Sequence, residues 1–260
     1  MKKMYQTEWM GIRFSDFCSM SPNKLADSDF YAKFYEILFS QCKDWKSLDS
    51  SWVGQKRDIA KFIENFISIR GLRGKILSVG CGLGTIEHEL LLAGFNAKRL
   101  EVSEIVETPL RWLKDEVAKE NIHIGMVPEC IPKNSKYSAI YLVGVDYVLD
   151  QKQFVSLLIE LKKYLEDKGR VLIISGSFYN KIPSLLGLMK GVIKQLSKYV
   201  LDLIGKSSKV QFWGYMRNHE DYQEVFNAAG LVCLENGLVD VDKQALYWIS
   251  GQLSRKQTSS

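Results

Sequence analysis

A chain of 260 residues, 46% hydrophobic and 25% charged, is long enough to bury one large core with an elaboration, and this make-up excludes disordered and fibrous classes. The net charge of +5 sits in one segment, 181–210, where Lys181, Lys190, Lys194, Lys198, Lys206 and Lys209 face only Asp202. That is a local feature rather than the wide basic face of a general nucleic-acid binder. The cysteines (Cys18, Cys42, Cys81, Cys130 and Cys233) are scattered without a Cys-x-x-Cys, and no long charge-free apolar run occurs. Neither disulfides, nor a metal, nor a leader or membrane span is expected, and a reducing cytoplasm is.

In chain order, apolar residues at helical spacing (Phe30, Tyr31, Phe34, Tyr35, Leu38) predict a first helix capped by Ser28. A second is predicted over 53–69, from the stripe Ile59, Phe62, Ile63, Phe66 and Ile67. The period then changes: 75–79 reads as a strand that ends in Gly80-Cys81-Gly82-Leu83-Gly84 and opens into a helix over 85–93, stopped by Gly94. Strands over 97–102, 122–126, 138–143 and 170–175 alternate with helices over 105–119 and 151–165. After the basic segment come a helix over 219–229 and two strands, 231–235 and 245–250. Such alternation predicts an α/β fold, a parallel sheet covered on both faces. The domains expected are an N-terminal helical cap (1–72), the sheet domain (73–252, with 181–210 as a helical insert) and a loose tail (253–260).

A strand that runs through three alternating glycines into a helix start is a nucleotide-binding turn: the backbone bends sharply, no Cβ blocks the ligand, and free N–H groups face it. Thr85 stands where the dinucleotide fingerprint has its third glycine. Glu101, at the expected end of the next strand, is in register to accept both hydroxyls of a ribose.

The run KILSVGCGLGTIE, the acid in LEVSE, then KYSAIYLVGVDYVLD and LEDKGRVLIIS resemble, in that order, a class I S-adenosylmethionine-dependent methyltransferase, over roughly 72–250. The resemblance implies a doubly wound, seven-stranded sheet with an antiparallel last strand and S-adenosyl-L-methionine as cofactor. It implies Gly80, Cys81, Gly82 and Gly84 under the methionine and ribose, Glu101 on the ribose and Val102 on adenine. Met126 and Val127 would form the other adenine wall, and Val143 with Gly144 the floor beside the sulfonium. Three positions depart from the family: Ser78 replaces its usual acid, Met126 stands where Asp is frequent, and Asp146-Tyr147 where many relatives have an acid followed by His. Glu87, a turn into the next helix, is a substitute for the acid at 78, although its position reads more readily as solvent-facing.

An alcohol acceptor must lose a proton as it attacks. Asp146, at a strand end, is read as base or orienting group with Tyr147 shaping the pocket; a helix cap and a core Tyr fit the same residues equally. His219 is a second candidate base, its Asn-His-Glu context fitting a helix cap. Trp213, Tyr215 and Arg217 are candidate substrate contacts through stacking and charge. The lysines spaced by four in 182–205 fit a lid, a contact with an anionic membrane, or a plain sheet cover. The N-terminal SDFYAKFYE loosely resembles caps of bacterial polysaccharide or natural-product methyltransferases. The expectation is O-methylation of a small molecule, sugar or lipid-linked glycan, with no DNA partner. Two alternatives stand beside it: a non-catalytic module binding a partner or membrane through the basic helix, and an RNA or protein methyltransferase.

Overall fold

The computed structural model describes residues 1–180, 210–242 and 244–253. The chain begins with a strand, β1 (Lys2–Gln6), followed by a two-residue hairpin, β2 (Glu8–Trp9) and β3 (Ile12–Arg13). Two helices follow, α1 (Ser28–Gln41) and α2 (Ser50–Ile69). Their caps are Asp27 and Asp49, whose side chains accept from Phe30 N and Trp52 N. The carboxylate one residue upstream of Ser28 takes the capping role because its oxygen reaches the third helical N–H.

The remaining elements are β4 (Ile76–Val79), α3 (Thr85–Leu92), β5 (Leu100–Glu104), β6 (Ile122–Ile124), β7 (Tyr137–Val143), α4 (Gln151–Leu161), β8 (Leu165–Ser175), β9 (Gln211–Met216), α5 (His219–Ala228), β10 (Leu231–Val241) and β11 (Gln244–Leu253). Seven of these strands make one sheet in the order β10-β11-β8-β7-β4-β5-β6. The pairs β4·β5, β4·β7, β5·β6 and β7·β8 are parallel, whereas β11 runs antiparallel to both neighbours. Strand order reverses on either side of β4, so a crevice opens beyond the carboxyl ends of β4, β5 and β7.

Alternation along each strand sends side chains to two cores. Ile76, Tyr141 and Leu172 pack with α2 and α3 (Ile63, Phe66, Ile86, Leu90). Leu77, Ile140 and Ile173 pack with α4 and α5 (Phe154, Leu158, Tyr222, Phe226). A third, largely aromatic core (Phe14, Phe30, Phe34, Trp213) lies under the N-terminal arm.

The structure alters several predicted boundaries. The strand expected over 97–102 starts at Leu100, after a 3-10 turn at Ala97–Arg99 begun by the Asn96 side chain, and runs on to Glu104. The helix expected over 105–119 is a series of 3-10 turns, Thr108–Arg111 and Leu113–Asp115, the first containing Pro109. The last two strands are longer than predicted and reverse at Asp242, which has φ 37°, rather than at Asn236-Gly237. The first 72 residues are not purely helical, because β1 pairs antiparallel with β9 and ties the N-terminus to the segment before α5. The insert at 182–205 and the tail from 254 lie outside the described residues; among those described, no helix is long and apolar enough to cross a membrane.

Candidate active site

The crevice holds a cavity of about 1110 Å³, slightly above the roughly 300–1,000 Å³ usual for one small-molecule site. Its floor is the glycine loop. Gly80, Gly82 and Gly84 have φ of 67°, 58° and 73°, a left-handed backbone that residues with a Cβ adopt at a cost. Space enforces glycine as well: a Cβ on Gly80 would stand 2.6 Å from a Val145 methyl, and one on Gly84 2.5 Å from Leu113. The loop is tied to β5, since Gly80 N and Cys81 N both donate to Ser103 O at 2.9 and 3.1 Å.

Glu104, the last residue of β5, is the acid at this loop. Its Oε2 accepts from Gly82 N at 2.8 Å and its Oε1 from Ile105 N at 2.8 Å. Burial in the cavity wall pushes the carboxyl up, with the backbone N–H donors opposing. Glu101 does not reach the cavity. It sits at the other end of the strand, opposite Leu77, 3% exposed and fully engaged: Lys75 Nζ donates to Oε1 at 2.6 Å, Tyr137 Oη donates to Oε2 at 2.6 Å, and His123 Nε2 lies 2.8 Å from Oε2. Burial raises this carboxyl, but the three partners outweigh it and hold it at about 2. Val102 likewise turns into the core against α2, and Ile105 lines the cavity in its place. The signal was in the spacing: Glu104 is 20 residues beyond Gly84, the separation at which an acid meets the ribose in such turns.

Glu87 is only 1% exposed, not solvent-facing. Ser78 and Tyr141 are paired across β4 and β7, and both hydroxyls donate to Glu87 Oε1 at 2.7 Å. Its Oε2 is buried without a hydrogen bond, as is the nearby Thr85 Oγ1. Burial pushes Glu87 up while its hydroxyl donors and the Lys56 charge pull it down. Lys56, from α2, lines the same wall with its ammonium 5.1 Å above the Trp52 ring. Burial lowers its pKa and Glu87 opposes that.

Of the other residues expected at the site, Gly80, Cys81, Gly82, Met126, Val127, Val143, Gly144, Tyr147 and Trp213 line the cavity. Gly84 stands just behind it at the start of α3. Asp146 does not face it: fully buried, its Oδ2 accepts from Tyr222 Oη at 2.5 Å, Ser175 Oγ at 2.8 Å and Ser177 Oγ at 3.3 Å. Nor does it cap α4, a role taken by Asp150. His219 faces Tyr247 Oη at 2.7 Å, outside the cavity, and the cap of α5 is Asn218. Arg217 is also fully buried; it donates to Asp146 O and Leu149 O at 2.6 Å each and lies over the Phe154 ring. It therefore braces the loop that carries Tyr147 instead of meeting a ligand. Tyr215 packs edge-on against Phe212 on β9, away from the cavity.

Tyr147 stacks on Trp213 (5.9 Å, 19°), and burial pushes its hydroxyl up to about 12. The two can meet because Gly214 has no side chain: a Cβ there would stand 2.3 Å from Tyr147 O. Sequence reading missed the contribution of the N-terminal arm, whose Met4, Gln6 and Trp9 complete the wall.

No family model and no curated protein sequence matches the chain. Solved structures do. The chain is similar to magnesium protoporphyrin IX methyltransferase from Synechocystis PCC 6803 with bound S-adenosylhomocysteine, with a TM-score of 0.56 and 14% identity over 87% of this chain and 95% of that one. It is similar to human N-acetylserotonin methyltransferase in complex with S-adenosylmethionine, with a TM-score of 0.54 and 13% identity over 93% and 62%. A third likeness is to mitomycin 7-O-methyltransferase, with a TM-score of 0.55 and 14% identity over 78% of this chain; the chain spans 54% of that protein's length. With the sheet order above, these likenesses show the fold: the chain has the Rossmann-like α/β fold of class I S-adenosylmethionine-dependent methyltransferases.

Proposed function

We propose that the chain is an S-adenosylmethionine-dependent methyltransferase that methylates an oxygen of a small-molecule acceptor. The observation that carries the reading is the cradle formed by the three left-handed glycines and Glu104, whose carboxylate already holds Gly82 N. A carboxylate at this place accepts hydrogen bonds from the ribose hydroxyls, and Ile105 and Met126 offer apolar surface to adenine. The bare Glu87 Oε2 and the cavity-facing Lys56 put opposite charges where an amino-acid end would lie, the first for its ammonium and the second for its carboxylate. This supplies the acid that Ser78 lacks, from the facing helix. The residues present therefore fit the cofactor.

When bound, the cofactor supplies an electrophilic methyl group on a sulfonium. The chain's part is to align an acceptor with it and exclude water. Tyr147, held protonated at neutral pH by burial, donates a hydrogen bond to the acceptor, and the acceptor's proton is lost to solvent as the methyl group moves from sulfur to oxygen. Asp146 and Arg217 act through the loop they brace. The test is calorimetric titration with S-adenosylhomocysteine. Glu104→Gln is expected to weaken binding about 100-fold, the worth of one or two hydrogen bonds to a charged group, while Glu101→Gln stays within threefold of the native chain. The reverse pattern would overturn the assignment.

A further inference from the structure

The cavity has two chemically different halves. Lys56, Glu87 and Glu104 gather at the glycine loop, and Glu129 and Glu160 are the other charged side chains of the wall. Another part of the wall is formed by the uncharged rings Trp9, Tyr31, Tyr147 and Trp213, brought together from β2, α1, the turn after β7, and β9, while Trp52 lies under Lys56 and Tyr35 Oη stands 3.2 Å from where a Cβ on Gly82 would be. Several are backed by another ring. Trp9 stacks on Phe34 (4.5 Å, 18°), Tyr147 on Trp213 (5.9 Å, 19°), and Trp213 on Phe14 (5.1 Å, 19°). Such backing fixes the wall in one arrangement, and flat rings favour offset or edge contacts with another flat ring.

Two polar atoms at this surface lack a well-formed partner. Gln6 Oε1 is buried without a hydrogen bond, and the Tyr31 hydroxyl, facing Tyr147, makes no well-formed one. A bare amide oxygen inside a protein is costly to leave unpaired, and it can only accept, so its complement is an O–H or N–H. Lys56, the one cation among the described residues of the wall, stands over Trp52, so an anion lying on Trp9, Tyr147 and Trp213 would be left unpaired, and burying an unpaired charge is costlier still.

We infer that the aromatic half takes a flat, uncharged aromatic molecule bearing a hydroxyl, the ring lying against Tyr147 and the Trp9 side and the hydroxyl donating to Gln6 Oε1. Naming this molecule as the methyl acceptor rests on the proposed function; its binding does not. The pairing suits the chemistry, because a phenol ionises near pH 10, as tyrosine does, and asks less of a base than an alcohol.

The test is calorimetry on the full chain, with and without saturating S-adenosylhomocysteine, using 1-naphthol, its methyl ether, the saturated alcohol 1-decalol, the anion 1-naphthoate and methyl glucoside. Expected is binding of 1-naphthol, about fivefold weaker binding of the ether, the worth of one net hydrogen bond, and at least tenfold weaker binding of the other three. Gln6→Leu should bring 1-naphthol down to the level of the ether and leave the ether unchanged. An unaltered melting temperature and S-adenosylhomocysteine affinity show that the variant is folded; should it not fold, Gln6→Met replaces it under the same criteria. The inference is overturned if methyl glucoside, 1-decalol or 1-naphthoate binds as tightly as 1-naphthol, if Gln6→Leu leaves the ratio of naphthol to ether unchanged, or if none of the probes binds. Binding of 1-naphthol by a chain that ignores S-adenosylhomocysteine would refute the methyltransferase reading and leave this one standing. The converse result would do the opposite.

Discussion

Replacing Glu87 by Gln tests whether the helix acid does the work of the missing strand acid. Glu87 Oε1 accepts from Ser78 and Tyr141, and Oε2 is bare. Glutamine can keep its carbonyl on the two hydroxyls, but then turns an NH2 toward the place where the ammonium of an amino acid would sit. One hydrogen bond between charged groups is replaced by two opposed donors, a loss of about 1.5–3 kcal/mol, or roughly 10–150-fold in affinity. The assay compares S-adenosylhomocysteine with 5′-methylthioadenosine, which keeps the adenosine and lacks the amino-acid end. Glu87→Gln should weaken the first by this factor and leave the second within twofold. Lys56→Met should show the same selectivity. Equal weakening of both ligands would mean that Glu87 merely supports the loop, and no weakening of either would refute the assignment.

Gly80→Ala combines a φ of 67° with a 2.6 Å approach to Val145; it should cost about 1–2 kcal/mol of stability and reduce nucleoside affinity, read by melting and calorimetry. For Glu101 the prediction concerns pH. A carboxyl held at about 2 instead of its ordinary 4.5 contributes stability that is fully present above pH 4.5 and lost as pH falls toward 2. The full shift corresponds to ~3 kcal/mol, cut to about 1–2 by solvent around the half-exposed Lys75. Urea unfolding of Glu101→Gln should therefore show a deficit of that size at pH 7 that closes between pH 4.5 and 2, with ligand affinity retained. His219→Gln should leave S-adenosylhomocysteine affinity and nucleoside selectivity native, because its ring faces Tyr247; a tenfold loss would put it back at the site.

The sheet domain was legible because its signals are local. A strand, three alternating glycines and a helix start fall within a dozen residues, and the short apolar strands that follow can only be covered on both faces. The acid that faces the cavity lies three residues beyond the expected Glu101, because the strand does not stop at Val102 but runs to Glu104, held there by the glycine loop donating to Ser103 O. Asp146 reads as a site residue because it ends a strand at the edge where such sheets do their chemistry, and Arg217 because with Trp213 and Tyr215 it offers stacking and charge to an acceptor. What turns them inward is a contact no local pattern encodes, the Arg217 guanidinium bonding carbonyls some seventy residues earlier in the chain. The same holds for Gln6 and Trp9, which reach the cavity only because β1 pairs with β9 across more than two hundred positions.

Whether this cavity holds S-adenosylmethionine is read by titrating the native chain with S-adenosylhomocysteine in a calorimeter. Saturable binding at one site is expected, accompanied by a rise in melting temperature that grows with ligand concentration. No heat of binding and no rise in melting temperature, at ligand concentrations a hundredfold above a dissociation constant of about 10 μM where stabilisation should reach about 2.7 kcal/mol, would contradict it.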